Sequence, residues 1–307
     1  MTPGYPLRLF AFTLISFSIA AAQAAKTDAC PRAENDFTAV QQKADAKDPA
    51  AQTALASCYD LGKHVPPDGK ESIRLLTEAA SQGYAPAQYE VGRTYLYGRG
   101  VPIDYAKALE WERKAAEQDD PRAQRDLAFM YERGFGVTAD PAQAAAWNRK
   151  AAMQGQPEAQ AHLARALDEG SGVGKDPVEA RAWYGKAARQ EQSTAQMELA
   201  RKFAETPDCV AAAHWYKEAA MHGQSAAMYE LGKLYLNNKC GADRNRAFIW
   251  FTIGGRFGSS EGKAEADRLA HALTPAQQKQ AHLIVDRWIK DHSGADKNED
   301  EEEKEER

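Results

Sequence analysis

The sequence predicts an all-α protein: an α-solenoid of six stacked helix-turn-helix repeats, about 36 residues each, with helical caps. Three observations lead there. Ala fills 59 of the 307 positions, and Ala is the best helix former and a poor strand former. Landmark residues recur in phase: Leu75, Trp111, Trp147 and Trp183 are 36 apart, and Trp215 and Trp250 follow after 32 and 35. Columns of small residues keep the same register, among them Ala51, Ala87, Ala123, Ala159, Ala195 and Ala227. One helix pair cannot bury its own apolar face, whereas stacked pairs build a continuous core.

The elements follow in chain order. Residues 1–24 read as a secretory signal, with Arg8, a largely apolar run from Leu9 to Ala21, and Ala22-Gln23-Ala24 before the cut. Thirteen apolar residues fall short of the roughly 20 a membrane span needs, so no transmembrane segment is expected. Residues 25–47 hold one capping helix, Glu34 to Lys47. The repeats occupy 48–258. In the second, helix A runs from about Ala85 to Tyr97, with Ala87, Val91, Gly92 and Tyr95 on one face. Gly98 and Gly100 break it. Asp104 is the expected N-cap of helix B, and its column reads Asp68, Asp104, Asp140, Asp176, Asp208 and Asp243. Pro141 and Pro177 follow that Asp, where Pro suits the first helical position. Ala108, Trp111 and Ala115 mark the buried face of helix B. The helix A column Ala56, Gly92, Ala128, Ala164, Ala200, Gly232 is always small, which lets paired helices approach closely. Two capping helices, Ser260 to Ala272 and Thr274 to His292, fill 259–292. Residues 293–307 form an acidic tail expected to be disordered.

Charge narrows the function classes. The net charge is −5, and the segment from Asp296 to Arg307, with eight acids and three bases, accounts for all of it. The repeat body is close to neutral and offers no global positive field for nucleic acid. Gly170-Ser171-Gly172-Val173-Gly174 has the look of a phosphate loop or nucleophile elbow, but both need a preceding strand, and a helix precedes it here. None of the seven His forms a zinc signature, and no Cys-x-x-Cys occurs. No catalytic residue, metal site or cofactor is assigned.

The residues Ala87 through Gly92, Tyr95, Gly98, Gly100-Val101, Asp104, Lys107-Ala108, Trp111 and Lys114-Ala115-Ala116 resemble the Sel-one-like repeat, a relative of the tetratricopeptide repeat. The resemblance covers about Asp48 to Gly258. It implies a bacterial, exported, non-enzymatic adaptor that holds other proteins, in the periplasm or released from the cell. It also admits an immunity-type protein that neutralises a toxin, and, from links of some members to penicillin binding, an enzyme acting on β-lactam or cell-wall substrates. In related solenoids the outer side of helix A lines the concave face. That places Tyr89, Arg93, Tyr97, Phe129, Arg165, Arg201 and Lys233 on a mostly basic, partly aromatic stripe suited to an acidic or extended protein segment. The same residues also suit an ordinary solvated helix face, and the acidic tail is itself a candidate occupant. Oligomeric state is left open.

Four Cys in an exported chain suggest disulfides, with three connectivities. Topology selects one. Cys209 and Cys240 sit in the connections of neighbouring repeats five and six, where the Gly-x-Gly-Val loop is lost. Cys58 lies on the first helix A, beside the capping segment that follows Cys30. The expected bridges are Cys30–Cys58 and Cys209–Cys240.

Overall fold

The computed structural model of the chain describes residues 30–292. The signal sequence expected at 1–24 and the acidic tail expected at 293–307 lie outside the described residues. Those residues contain fifteen α-helices and no strand. Helix α1 (Glu34–Asp45) is the N-terminal cap. The repeats pair α2 (Pro49–Leu61) with α3 (Gly69–Ser81), α4 (Ala85–Tyr97) with α5 (Tyr105–Glu117), and α6 (Pro121–Arg133) with α7 (Pro141–Met153). They continue with α8 (Pro157–Glu169) and α9 (Pro177–Ala188), α10 (Ser193–Ala204) and α11 (Cys209–Met221), and α12 (Ser225–Leu236) and α13 (Arg244–Arg256). A 3₁₀ turn, Asn238–Cys240, interrupts the last connection, and α14 (Ser260–Ala270) and α15 (Pro275–His292) close the chain. The described residues divide into two compact units, 30–151 and 152–292.

Local chemistry sets the helix limits. Asp68, Asp104, Asp140, Asp176, Asp208 and Asp243 each accept a backbone N–H from the first turn of their helix B, at 2.9–3.2 Å. Helix A ends on left-handed Gly in repeats one to four, at Gly62, Gly98, Gly134 and Gly170. Gly136, in the loop that follows, has φ +70°, and a Cβ there would sit 2.3 Å from the Tyr105 carbonyl oxygen. Only Gly fits that approach.

Helix pairing follows one rule. The small helix A column, Ala56, Gly92, Ala128, Ala164, Ala200 and Gly232, is buried throughout. A Cβ on Gly92 would meet the Glu112 side chain at 2.7 Å, and one on Gly232 would meet the Phe251 ring at 2.6 Å. The residue after the Trp position is buried in every helix B: Leu76, Glu112, Asn148, Tyr184, Tyr216 and Phe251. Trp111 itself is half-buried. Its exposed side is covered by Lys114 at 4.1 Å, and Lys150 and Lys186 cover Trp147 and Trp183 at 3.8 and 3.7 Å. In repeats two, three and four the Trp-x-x-Lys spacing is thus a cation–π cap on the outside of helix B.

Repeats are tied to one another by a ladder of buried glutamines. Gln88, Gln124, Gln160 and Gln196 donate to the carbonyls of Ala80, Ala116, Ala152 and Ala188, eight residues earlier, at 3.2–3.3 Å. Those carbonyls lie at the end of the preceding helix B, where four groups lack a helical partner. Gln82, Gln118 and Gln190 in turn donate to Gln52, Gln88 and Gln160 at 2.7–3.0 Å.

Each unit carries one disulfide. In unit one, Cys30 bonds Cys58. His64 reinforces the attachment by contacting Glu34 and the Pro31 carbonyl and stacking on Phe37. In unit two, Cys209 bonds Cys240 and joins the two shortened connections. The C-terminal helices complete unit two: Val285 is fully buried, and Trp288 packs edge-on against Trp250 and Phe257. No described helix is long and apolar enough to cross a membrane.

Candidate functional site

Arg93, Phe129, Arg165, Arg201 and Lys233 sit one position after the small helix A column, so close pairing with helix B turns them outward, while Tyr89 and Tyr97 lie about one turn to either side of Arg93. In unit one they form an aromatic–cation cluster. Tyr89 is buried, with the Arg93 and Arg122 guanidinium carbons 5.6 and 4.4 Å from its ring centroid. Burial pushes its hydroxyl up to about 12. Arg93 is half-buried and also lies 5.4 Å from the Tyr97 ring, which is half exposed. Phe129 packs edge-on against Phe135 and lies under Arg133. Of the four unit-one residues predicted for binding, Tyr97 presents the most surface, and Tyr89 supports the others from below.

Beneath this cluster is an acidic core that the sequence reading missed. Glu112 is fully buried and neither carboxylate oxygen has a hydrogen-bond partner. Burial raises its pKa well above the ordinary range, and the charges of Asp126, Asp120 and Glu90 add to the rise while Arg93 opposes it. Asp126 is buried too and raised by burial, although Arg125 contacts it at 2.7 Å. Reading the column after the Trp would have exposed Glu112 as an acid among Leu, Tyr and Phe.

In unit two, Arg165 and Arg201 line a cavity of about 530 Å³ between helices α8 and α10. Tyr184 from α9 lines it from below, and its hydroxyl is raised by burial. The stripe is less basic than its column implies. Arg201 contacts Glu198 at 2.9 Å, Lys233 contacts Glu230 at 3.0 Å, and Arg165 donates to His162 at 3.1 Å. Asp168, paired with Lys202 at 2.6 Å, and Glu169 also line the cavity. The partners lie three residues before each stripe position, one helical turn away, so the i−3 column carried the missing signal. Arg165, Arg201 and Lys233 remain exposed. The surface offers donors and acceptors of both signs, chemistry that matches polypeptide backbone and polar side chains. Among the described residues, no group of three His, Cys, Asp or Glu is placed to hold a metal.

The chain resembles known proteins in the same register. The Sel1 repeat family matches residues 49–84, 85–120, 121–156, 157–191, 193–224 and 225–255. Among solved structures, the chain is similar to a protective antigen present in uropathogenic Escherichia coli strains and displaying an SLR fold. That likeness has 31% identity and a TM-score of 0.73, and covers 82% of this chain and 56% of that one. The chain thus spans little more than half that protein's length. A Sel1 repeat protein from Oxalobacter formigenes is similar at 33% identity and TM-score 0.61, covering 69% of this chain and 89% of that one. A comparison with curated proteins finds no match. Six matched segments, each holding one helix pair of the fold and together spanning well over half the sequence, make this chain a member of the Sel1 repeat family.

Proposed function

We propose that the protein is a periplasmic adaptor that holds another protein on the face lined by helix A of its repeats. Sel1 repeats generally serve as protein-interaction modules. One observation carries the finer reading. Arg165 and Arg201, chosen by sequence register, are exposed and line the same cavity in unit two. Rigid stacked helices preorganise such a surface, so little ordering cost attends binding. Two disulfides suit an oxidising compartment, and the leader at 1–24 supplies the export route. In this reading 25–47 caps the first repeat, 48–258 is the binding body, 259–292 seals the last repeat, and 293–307 is a solvated tail.

The test is affinity capture from a periplasmic extract with the wild type and an Arg165→Glu, Arg201→Glu, Lys233→Glu variant. Arg93 is left intact because it packs on Tyr89 and Tyr97. A partner retained by the wild type and lost by the folded variant is the expected result. Equal retention by both would reject the helix A face.

A further inference from the structure

Among the helix B positions at which repeat one differs from repeat two, one bears on the groove between them. In repeat two, Arg113 donates to the Tyr131 hydroxyl at 3.0 Å and so bridges to repeat three. Thirty-six residues earlier the same position is Thr77, whose hydroxyl donates to the Ile73 carbonyl at 2.7 Å. A threonine is too short to reach Tyr95, the counterpart of Tyr131. The groove between repeats one and two stays open as a cavity of about 700 Å³. Its floor is formed by half-buried Ile73, Tyr95 and Val101.

The rim has its own charge. Lys47, Lys70 and Arg74 line it; Lys47 and Arg74 share the Glu78 carboxylate, and Arg74 also pairs with Glu71. In repeat two the positions of Lys70 and Arg74 hold Ala106 and Glu110. The cationic rim therefore belongs to this groove and is no general property of the repeats. The groove is built on α3 with Lys47, Tyr95 and Val101 and includes no stripe residue, so it stands independently of the adaptor reading above.

We propose that this groove docks an extended segment of another protein, one that carries an apolar side chain flanked by carboxylates. The apolar side chain would bury against Ile73, Tyr95 and Val101, which are already shielded from water on one side. The flanking carboxylates would meet Lys47 and Lys70 and fix the segment's register. The missing arginine makes room for the segment, and the rim selects its charge.

The test uses the full chain in its own cells, with Ser81, exposed at the end of the groove, replaced by the photocrosslinker p-benzoylphenylalanine. Adducts are mapped by mass spectrometry. The expected adduct joins Ser81 to a segment of another protein with an apolar residue between acids. Thr77→Arg, which rebuilds the Arg113 arrangement, should cut its yield about ten-fold, as should Lys47→Glu with Lys70→Glu. Circular dichroism melts of the variants check that each still folds. An adduct insensitive to both variants, an adduct to a second copy of this chain, a mapped segment without carboxylates, or no adduct above that of a crosslinker at exposed Val210 would each overturn the proposal.

Discussion

Gln196 is the rung at which the glutamine ladder breaks. Its Nε2 reaches the Ala188 carbonyl, but its Oε1 is buried without a partner. The donor in other repeats is Gln82, Gln118 or Gln190, and repeat five has exposed His222 in that place. A buried unsatisfied acceptor costs about 1–3 kcal/mol. His222→Gln should therefore stabilise the protein by about 1 kcal/mol, read as a higher urea midpoint. Glu191 offers a second case. It closes its helix B with φ +61°, where Gly83, Gly155 and Gly223 stand in other repeats. Left-handed backbone costs a non-Gly residue about 1–2 kcal/mol, and extra freedom of Gly in the unfolded chain offsets part of the gain. Glu191→Gly should raise stability by about 0.5–1 kcal/mol in the same melts. The N-caps and glycine stops were legible in the sequence because each depends on residues within one turn. The ladder was not, because its rungs join residues eight and thirty positions apart, yet its Ala-Gln dipeptide recurs at Ala51-Gln52, Ala87-Gln88, Ala123-Gln124, Ala159-Gln160 and Ala195-Gln196.

At the scale of elements, the pairing of α4, α5 and α6 encloses an acid whose pKa burial raises. Glu112 on α5 faces Glu90 and Arg93 of α4, and Asp120 and Asp126 at the start and middle of α6, with Arg122 and Arg125 paired to those two. The native pKa of Glu112 lies well above its unfolded value. Between the two the unfolded chain binds fewer protons, so stability falls as pH rises through that window. Each unit of separation corresponds to about 1.4 kcal/mol. Glu112→Gln should leave stability near pH 4 almost unchanged, raise it toward pH 8, and flatten the slope between. Urea titrations of both proteins across that range check this. In unit two the corresponding element is the Cys209–Cys240 bridge. Its 31-residue separation predicts a loss of about 3–4 kcal/mol on Cys209→Ser with Cys240→Ser in the chain-entropy account. The cysteine pairing could be read from repeat topology, because adjacent repeats bring equivalent connections together. Glu112 could not be read that way, because the Trp drew the helix B face one position off.

Over the whole chain, stability should be uneven, as in a repeat array where each pair depends on its neighbours. Buried polar atoms without partners gather in unit one, on Arg93, Glu112, Asp126 and Asn148. The column of Glu112 and Asn148 continues in unit two as Tyr184, Tyr216 and Phe251, and the second disulfide joins its last two repeats. Amide hydrogens of α4 to α6 should exchange at least about ten-fold faster than those of α11 to α13, a gap of about 1.4 kcal/mol in local opening. The repeat architecture was legible because period and small-residue columns are sequence properties. The partner is not, because stacked helices can present many surfaces on one fold. The most direct measurement for the adaptor reading is a photocrosslinking scan of the full chain in cells. Probes stand at Arg165, Arg201 and Lys233 on helix A, and at exposed Val178 and Val210 on helix B. Adducts to one and the same protein are expected from the three helix A positions, and none to it from Val178 or Val210. Adducts to that protein from both faces alike, or none from helix A, would contradict the adaptor reading.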